Sequence, residues 1–186
     1  MFELYITNRH LCQGDFLKRI AWLASLKPHG IILREKDLPE NEYMALAKSA
    51  IAVCAAESVP CILHTFVDVA LRLQHPLIHL PMPELRELPS GERRFFTTLG
   101  ASCHSVEDAL EAERLGCTYI TAGHIFPTKC KADIPPRGID FLREVCDSVS
   151  IPVYALGGIN EENRPLALAA HAAGTAVMSL GMVANY

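Results

Sequence analysis

Eight short apolar runs punctuate the chain, and none alternates strictly between apolar and polar positions. They cover residues 4–7, 30–34, 61–64, 77–80, 98–102, 119–122, 153–156 and 176–179. Runs of this kind suit strands of a parallel sheet covered on both faces. Between them lie segments of helical period. Residues 16–26 space Phe16, Ile20 and Leu23 along one face, and 41–57 gathers Tyr43, Leu46, Ala47, Ala50 and Val53. Residues 106–115 follow Ser105, an expected N-cap with Asp108 as an imperfect capping-box partner. Residues 139–149 and 163–172 supply two more helices. Residues 68–73 make a short one, and 81–93, carrying Pro81, Pro83 and Pro89, is expected to be largely loop.

Strand and helix alternating eight times predict an α/β fold, a (β/α)8 TIM barrel with lean loops, as a single domain over residues 1–186. Such barrels typically need about 250 residues; this chain has 186. Only residues 180–186 follow the eighth run, so the final helix is expected to be truncated, with a homodimer as one way to cover the surface left open.

Half the residues are hydrophobic and a fifth are charged, as in ordinary globular proteins. A net charge of -4 without a basic run argues against nucleic acid as a partner. No apolar stretch reaches the roughly 18 residues of a membrane span, and residues 1–7 turn polar too soon for a secretory signal. The seven cysteines form no C-x-x-C pair, and are read as reduced packing residues of a cytoplasmic protein.

In a (β/α)8 barrel, function sits in the loops after the strands. Here those loops hold Arg34-Glu35-Lys36-Asp37, His64, His79, Ser102, His104, Gly123-His124, Gly157-Gly158 and Ser179-Leu180-Gly181. The glycines after strands 7 and 8 either make tight turns or let backbone N–H groups approach a phosphate. Arg34 and Lys36, two apart, either meet an anionic substrate together or pair with Glu35 and Asp37. His124 opens a long loop, through Lys131 to Arg137, that is expected to close over the site. An imidazole there can take and return a proton at neutral pH.

Several segments together, in order along nearly the whole chain, carry a family resemblance. They are Leu4-Tyr5-Ile6-Thr7, Leu33-Arg34-Glu35-Lys36-Asp37, Gly100-Ala101-Ser102-Cys103-His104-Ser105, Ile125-Phe126-Pro127-Thr128, Gly157-Gly158-Ile159-Asn160 with Asn163, and residues 174–179. The chain resembles the thiamine phosphate synthase and TenI family, whose fold is a (β/α)8 barrel.

The resemblance divides between two chemistries. Synthases carry Asn-Asp after strand 3 and Gly-Gln followed by Asp after strand 4, the aspartates holding Mg²⁺ for a departing pyrophosphate. This chain has His64-Thr65 and Pro81-Met82-Pro83-Glu84 instead. After strand 6 synthases read Gly-Pro-Ile-Phe, where Gly123-His124-Ile125-Phe126 resembles the TenI-type thiazole tautomerases.

That implies an isomerase that aromatises a small phosphorylated heterocycle, a thiazole carboxylate phosphate, without metal or cofactor. His124 is the expected proton carrier, with Ser102 stabilising charge. Gly157, Gly158, Ser179 and Leu180 are expected to hold phosphate, and Arg34, Lys36 or Lys131 the remaining anionic groups.

Three alternatives stay open: a synthase with a degraded Mg²⁺ site, a silent phosphate-binding or regulatory barrel, and a metal-dependent hydrolase. The last would use His64, His79, His104 and His124, which follow four consecutive strands.

Overall fold

The computed structural model describes residues 2–128 and 133–183. The strands are β1 (Phe2–Ile6), β2 (Gly30–Leu33), β3 (Cys61–His64), β4 (Leu77–Pro81), β5 (Thr98–Cys103), β6 (Tyr119–Gly123), β7 (Val153–Leu156) and β8 (Gly174–Val177). They pair in parallel, in chain order, and β8 closes the barrel on β1. Every expected run is a strand, its edges moved by at most two residues.

Successive strand residues face opposite ways, and the core divides accordingly. Leu4, Ile6, Ile32, Ile62, Tyr119, Tyr154 and Ala176 fill the barrel interior. Their neighbours Ile31, Leu33, Leu63, Ile78 and Leu99 pack outward under the helices. Each fully buried Leu or Ile contributes about 2 kcal/mol, so four-residue strands suffice when both faces are covered.

The helices are α1 (Phe16–Ser25), α2 (Glu40–Ala56), α3 (Val67–Arg72), α4 (Met82–Glu87), α5 (Ser90–Arg93), α6 (Val106–Arg114), α7 (Gly138–Ser148), α8 (Arg164–Ala169) and α9 (Ser179–Val183). None is long and apolar enough to cross a membrane. Ser105 caps α6 as expected, accepting from Asp108 N at 3.0 Å. The Asp108 carboxylate reaches back one residue further than a capping box requires, to His104 N.

Segment 81–93 departs from expectation, because it folds into α4 and α5 rather than loop. Pro81 and Pro89 precede these helices and Pro83 sits in the first turn of α4. Backbone N–H groups there have no intrahelical acceptor, so prolines start these helices instead of breaking them.

Candidate active site

The C-terminal ends of the strands open into a cavity of about 370 Å³. Arg34, His64, His79, Ser102, His104, His124, Gly157, Gly158, Ser179 and Leu180 line it, over an apolar floor that includes Ile6, Ile32 and Leu156. Most of the sequence-predicted rim therefore converges on one place. Lys36 is exposed and lies off the cavity wall, because the chain has left β2 before reaching it. Lys131 lies outside the described residues.

Two buried hydroxyls set the near wall. Tyr43, on α2, donates to Leu33 O at 2.7 Å and accepts from His64 N at 2.9 Å. One side chain from the outer layer thus ties the ends of β2 and β3 together. Thr7 accepts from Arg34 N at 3.0 Å and donates to buried Glu35 at 2.7 Å.

Glu35 and Asp37 do not pair with Arg34 or Lys36, as one reading of the sequence had it. Arg9 takes both carboxylates, Glu35 through its backbone N–H and guanidinium and Asp37 at 2.8 and 2.6 Å. Hydrogen bonds from Arg9 and then His10 hold the Asp37 carboxyl well below the usual carboxylate range. Among the described residues Arg34 has no acidic partner at the cavity, and its charge is available to an anion.

The His64 and His79 rings stack with centroids 5.8 Å apart. Burial holds His79 down to about 3. Burial also holds His64 well below the ordinary imidazole range, helped by His79, Arg34 and Lys36 nearby. Both rings are neutral at neutral pH. His64 Nδ1 meets Thr65 Oγ1 at 2.7 Å, and Thr65 adopts a φ of +68°. A β-branched residue in that region is strained; Thr65 N is held by His79 O at 3.1 Å.

His124 is 5% exposed. Backbone hydrogen bonds from Ile125 to Leu156 O and from Phe126 to Gly157 O lay its loop along the end of β7. The returning arm folds back over it, with Arg137 N on His124 O at 2.9 Å and Ile134 O at 3.2 Å from His124 Nε2. A carbonyl can only accept, so Nε2 carries a hydrogen, and it is Nδ1 that holds the lone pair whenever the ring is neutral. By the same reasoning His104 donates Nδ1–H to Gly123 O at 2.7 Å.

Gly157 (φ +97°) and Gly158 (φ +65°) turn the chain beside this loop. The Gly158 carbonyl accepts from Asn163 Nδ2 at 2.8 Å, and Asn160 and Asn163 exchange backbone-to-side-chain hydrogen bonds. Gly181 has a different reason to be glycine: a Cβ there would stand 2.6 Å from the Tyr5 ring. It is a packing residue inside α9, not part of the cavity lining.

The oxygen donors that a Mg²⁺ would need do not converge. Asp68 is exposed in the first turn of α3, Asp37 is held by Arg9, and His64-Thr65 stands where the resemblance expects a ligand. Among the described residues no three His, Cys, Asp or Glu side chains come together around a point that could hold a metal ion. A hard cation prefers six or more oxygens, so this donor set does not fit one. The four rim histidines fit zinc no better, each ring being engaged by Thr65, Ser102 and Tyr119, Gly123 or Ile134.

Tyr119 is a neighbour of the site that sequence reading passes over as an ordinary strand residue. Its hydroxyl meets His79 Nδ1 at 2.9 Å, and His79 Nε2 meets Ser102 Oγ at 2.8 Å. The signal was present: Tyr119 pairs in register with Gly100, a large residue beside one with no side chain.

Residues 4–180 match the family described as thiamine monophosphate synthase. The chain is 34% identical over 166 residues to the thiamine-phosphate synthase of Clostridium tetani, covering 85% of this chain and 77% of that protein. It is 36% identical over 179 residues to thiamine-phosphate synthase 2 of Streptococcus pneumoniae, covering 93% and 83%. Among solved structures, a thiamine phosphate pyrophosphorylase from Pyrococcus furiosus is similar with a TM-score of 0.85 at 31% identity, covering 99% and 88%. The likeness therefore runs through the whole barrel and not one motif.

Proposed function

The chain belongs to the thiamine monophosphate synthase family of thiamine biosynthesis, and within it we propose that it is a thiazole tautomerase, an isomerase of a thiazole carboxylate phosphate. The observation that carries this reading is the seating of His124. Its Nε2–H is engaged by Ile134 O, so in the neutral ring Nδ1 is the nitrogen that can accept a proton, on a residue of the cavity wall.

In the proposed reaction His124 Nδ1 takes a proton from the non-aromatic ring, and the electron pair spreads over the conjugated system. The imidazolium returns that proton to the exocyclic carbon, and the ring becomes aromatic. One proton moves, nothing leaves, and no metal is required. Ser102 stabilises the charge that develops. Arg34 meets the carboxylate, while the Gly157-Gly158 turn and the Ser179-Leu180 start of α9 hold the phosphate.

Synthase activity is the second reading, favoured by the names of the relatives above. The scattered oxygen donors weigh against it. Two assays separate the readings: aromatisation of the thiazole substrate in EDTA, and coupling of a pyrimidine pyrophosphate to a thiazole phosphate in Mg²⁺. Aromatisation without coupling supports the tautomerase, and coupling alone overturns it.

A further inference from the structure

We propose that Tyr119 and His79 are positioning residues that fix the direction of the Ser102 hydroxyl, turning its proton into the cavity as a hydrogen-bond donor. The role of that donor in turnover rests on the tautomerase reading; the direction of the proton does not.

Tyr119 lies inside the barrel across Gly100, where a side chain would overlap the ring and stand 2.5 Å from its hydroxyl oxygen. Among the described residues that hydroxyl has one hydrogen-bond partner, His79 Nδ1. Tyr119 and His79 are 6% and 2% exposed, and burial keeps both neutral. A phenol brings one hydrogen to this contact, and a neutral imidazole has one to place on either nitrogen.

If His79 carried its hydrogen on Nδ1, the buried phenolic hydrogen would have no acceptor, an arrangement that folded proteins avoid. Tyr119 therefore donates to Nδ1, and the His79 hydrogen sits on Nε2, facing Ser102 Oγ at 2.8 Å. Ser102 Oγ accepts that bond, so its own hydrogen turns elsewhere, and the side chain borders the cavity. The polarity runs from Tyr119 through His79 to Ser102. It also excludes the reverse use, in which His79 would take the serine proton to make a nucleophile, because Nε2 is already protonated.

The experiment is a long-range ¹H–¹⁵N correlation spectrum of histidine-labelled protein at pH 8, with His79 assigned from a His79→Gln sample. The expected result is a proton on Nε2 and a bare Nδ1, with the His79 signals perturbed in Tyr119→Phe. A proton on Nδ1 overturns the inference, whatever the enzyme turns over.

Kinetics on the non-aromatic thiazole substrate give a second readout. Ser102→Ala should lower kcat about 100-fold. Tyr119→Phe should lower it about tenfold with KM nearly unchanged, and should add nothing further in the Ser102→Ala background. Additive losses would make Tyr119 a merely structural residue and overturn its positioning role. A wild type inert toward this substrate would count against the tautomerase reading alone, and the spectrum would still decide the direction of the proton.

Discussion

His124 occupies the space that a side chain on Gly157 would need. A Cβ at Gly157 would fall 2.7 Å from the His124 Cα and closer still to its Cβ, and the glycine φ of +97° already disfavours any other residue. Gly157→Ala should therefore displace His124 as well as strain the turn. Expected are a stability loss of about 1–3 kcal/mol and a fall in kcat of at least about 100-fold. Urea unfolding and steady-state turnover on the same preparation check both, and unchanged turnover would detach the glycine from the base.

Arg34 and Lys36 should separate cleanly. Arg34 borders the cavity and is free of Glu35 and Asp37, which Arg9 occupies. Lys36 is exposed away from the cavity wall. Arg34→Gln should raise KM by about 10- to 100-fold, as for the loss of a charge-assisted hydrogen bond, with a smaller change in kcat. Lys36→Ala should move either constant by less than about threefold, through long-range charge alone. Equal effects would place Lys36 on the substrate.

Acid should weaken the fold through its neutral histidines. An imidazole in the unfolded chain titrates near about 6.5, whereas burial holds His79 at about 3 and His64 also well below that range. Between those values the unfolded chain binds protons that the native state refuses. Stability is therefore full above about pH 6.5 and is lost as the pH falls below it, for His79 down toward about 3 and for His64 in the same direction. Urea midpoints measured from pH 7.5 down to 5 should fall, and His79→Gln should flatten that slope. A midpoint independent of pH over this range would contradict the burial of both rings.

The barrel was legible because its two-sided strands read as unbroken apolar runs, and Tyr43, Ala47 and Ala50 already marked the face that α2 buries. The rim was legible because strand ends are where polar residues interrupt those runs. What escaped depends on contacts between elements. Pro81, Pro83 and Pro89 look like loop residues until their N-terminal positions in α4 and α5 are known. The partners of Glu35 and Asp37 lie 26 and 28 residues away on Arg9, beyond the reach of local spacing. Gly181 resembled its rim neighbours, yet answers to Tyr5. No periodicity announces the link from Tyr119 through His79 to Ser102, which arises where β4, β5 and β6 lie side by side.

The most direct test is aromatisation of the thiazole synthase product in EDTA, with wild type and His124→Gln compared side by side. Conversion well above the spontaneous rate, largely lost in His124→Gln while the variant remains folded, is the predicted result. Conversion no faster than the spontaneous rate in wild type, or full activity in His124→Gln, would contradict a metal-free tautomerase with His124 as its proton carrier.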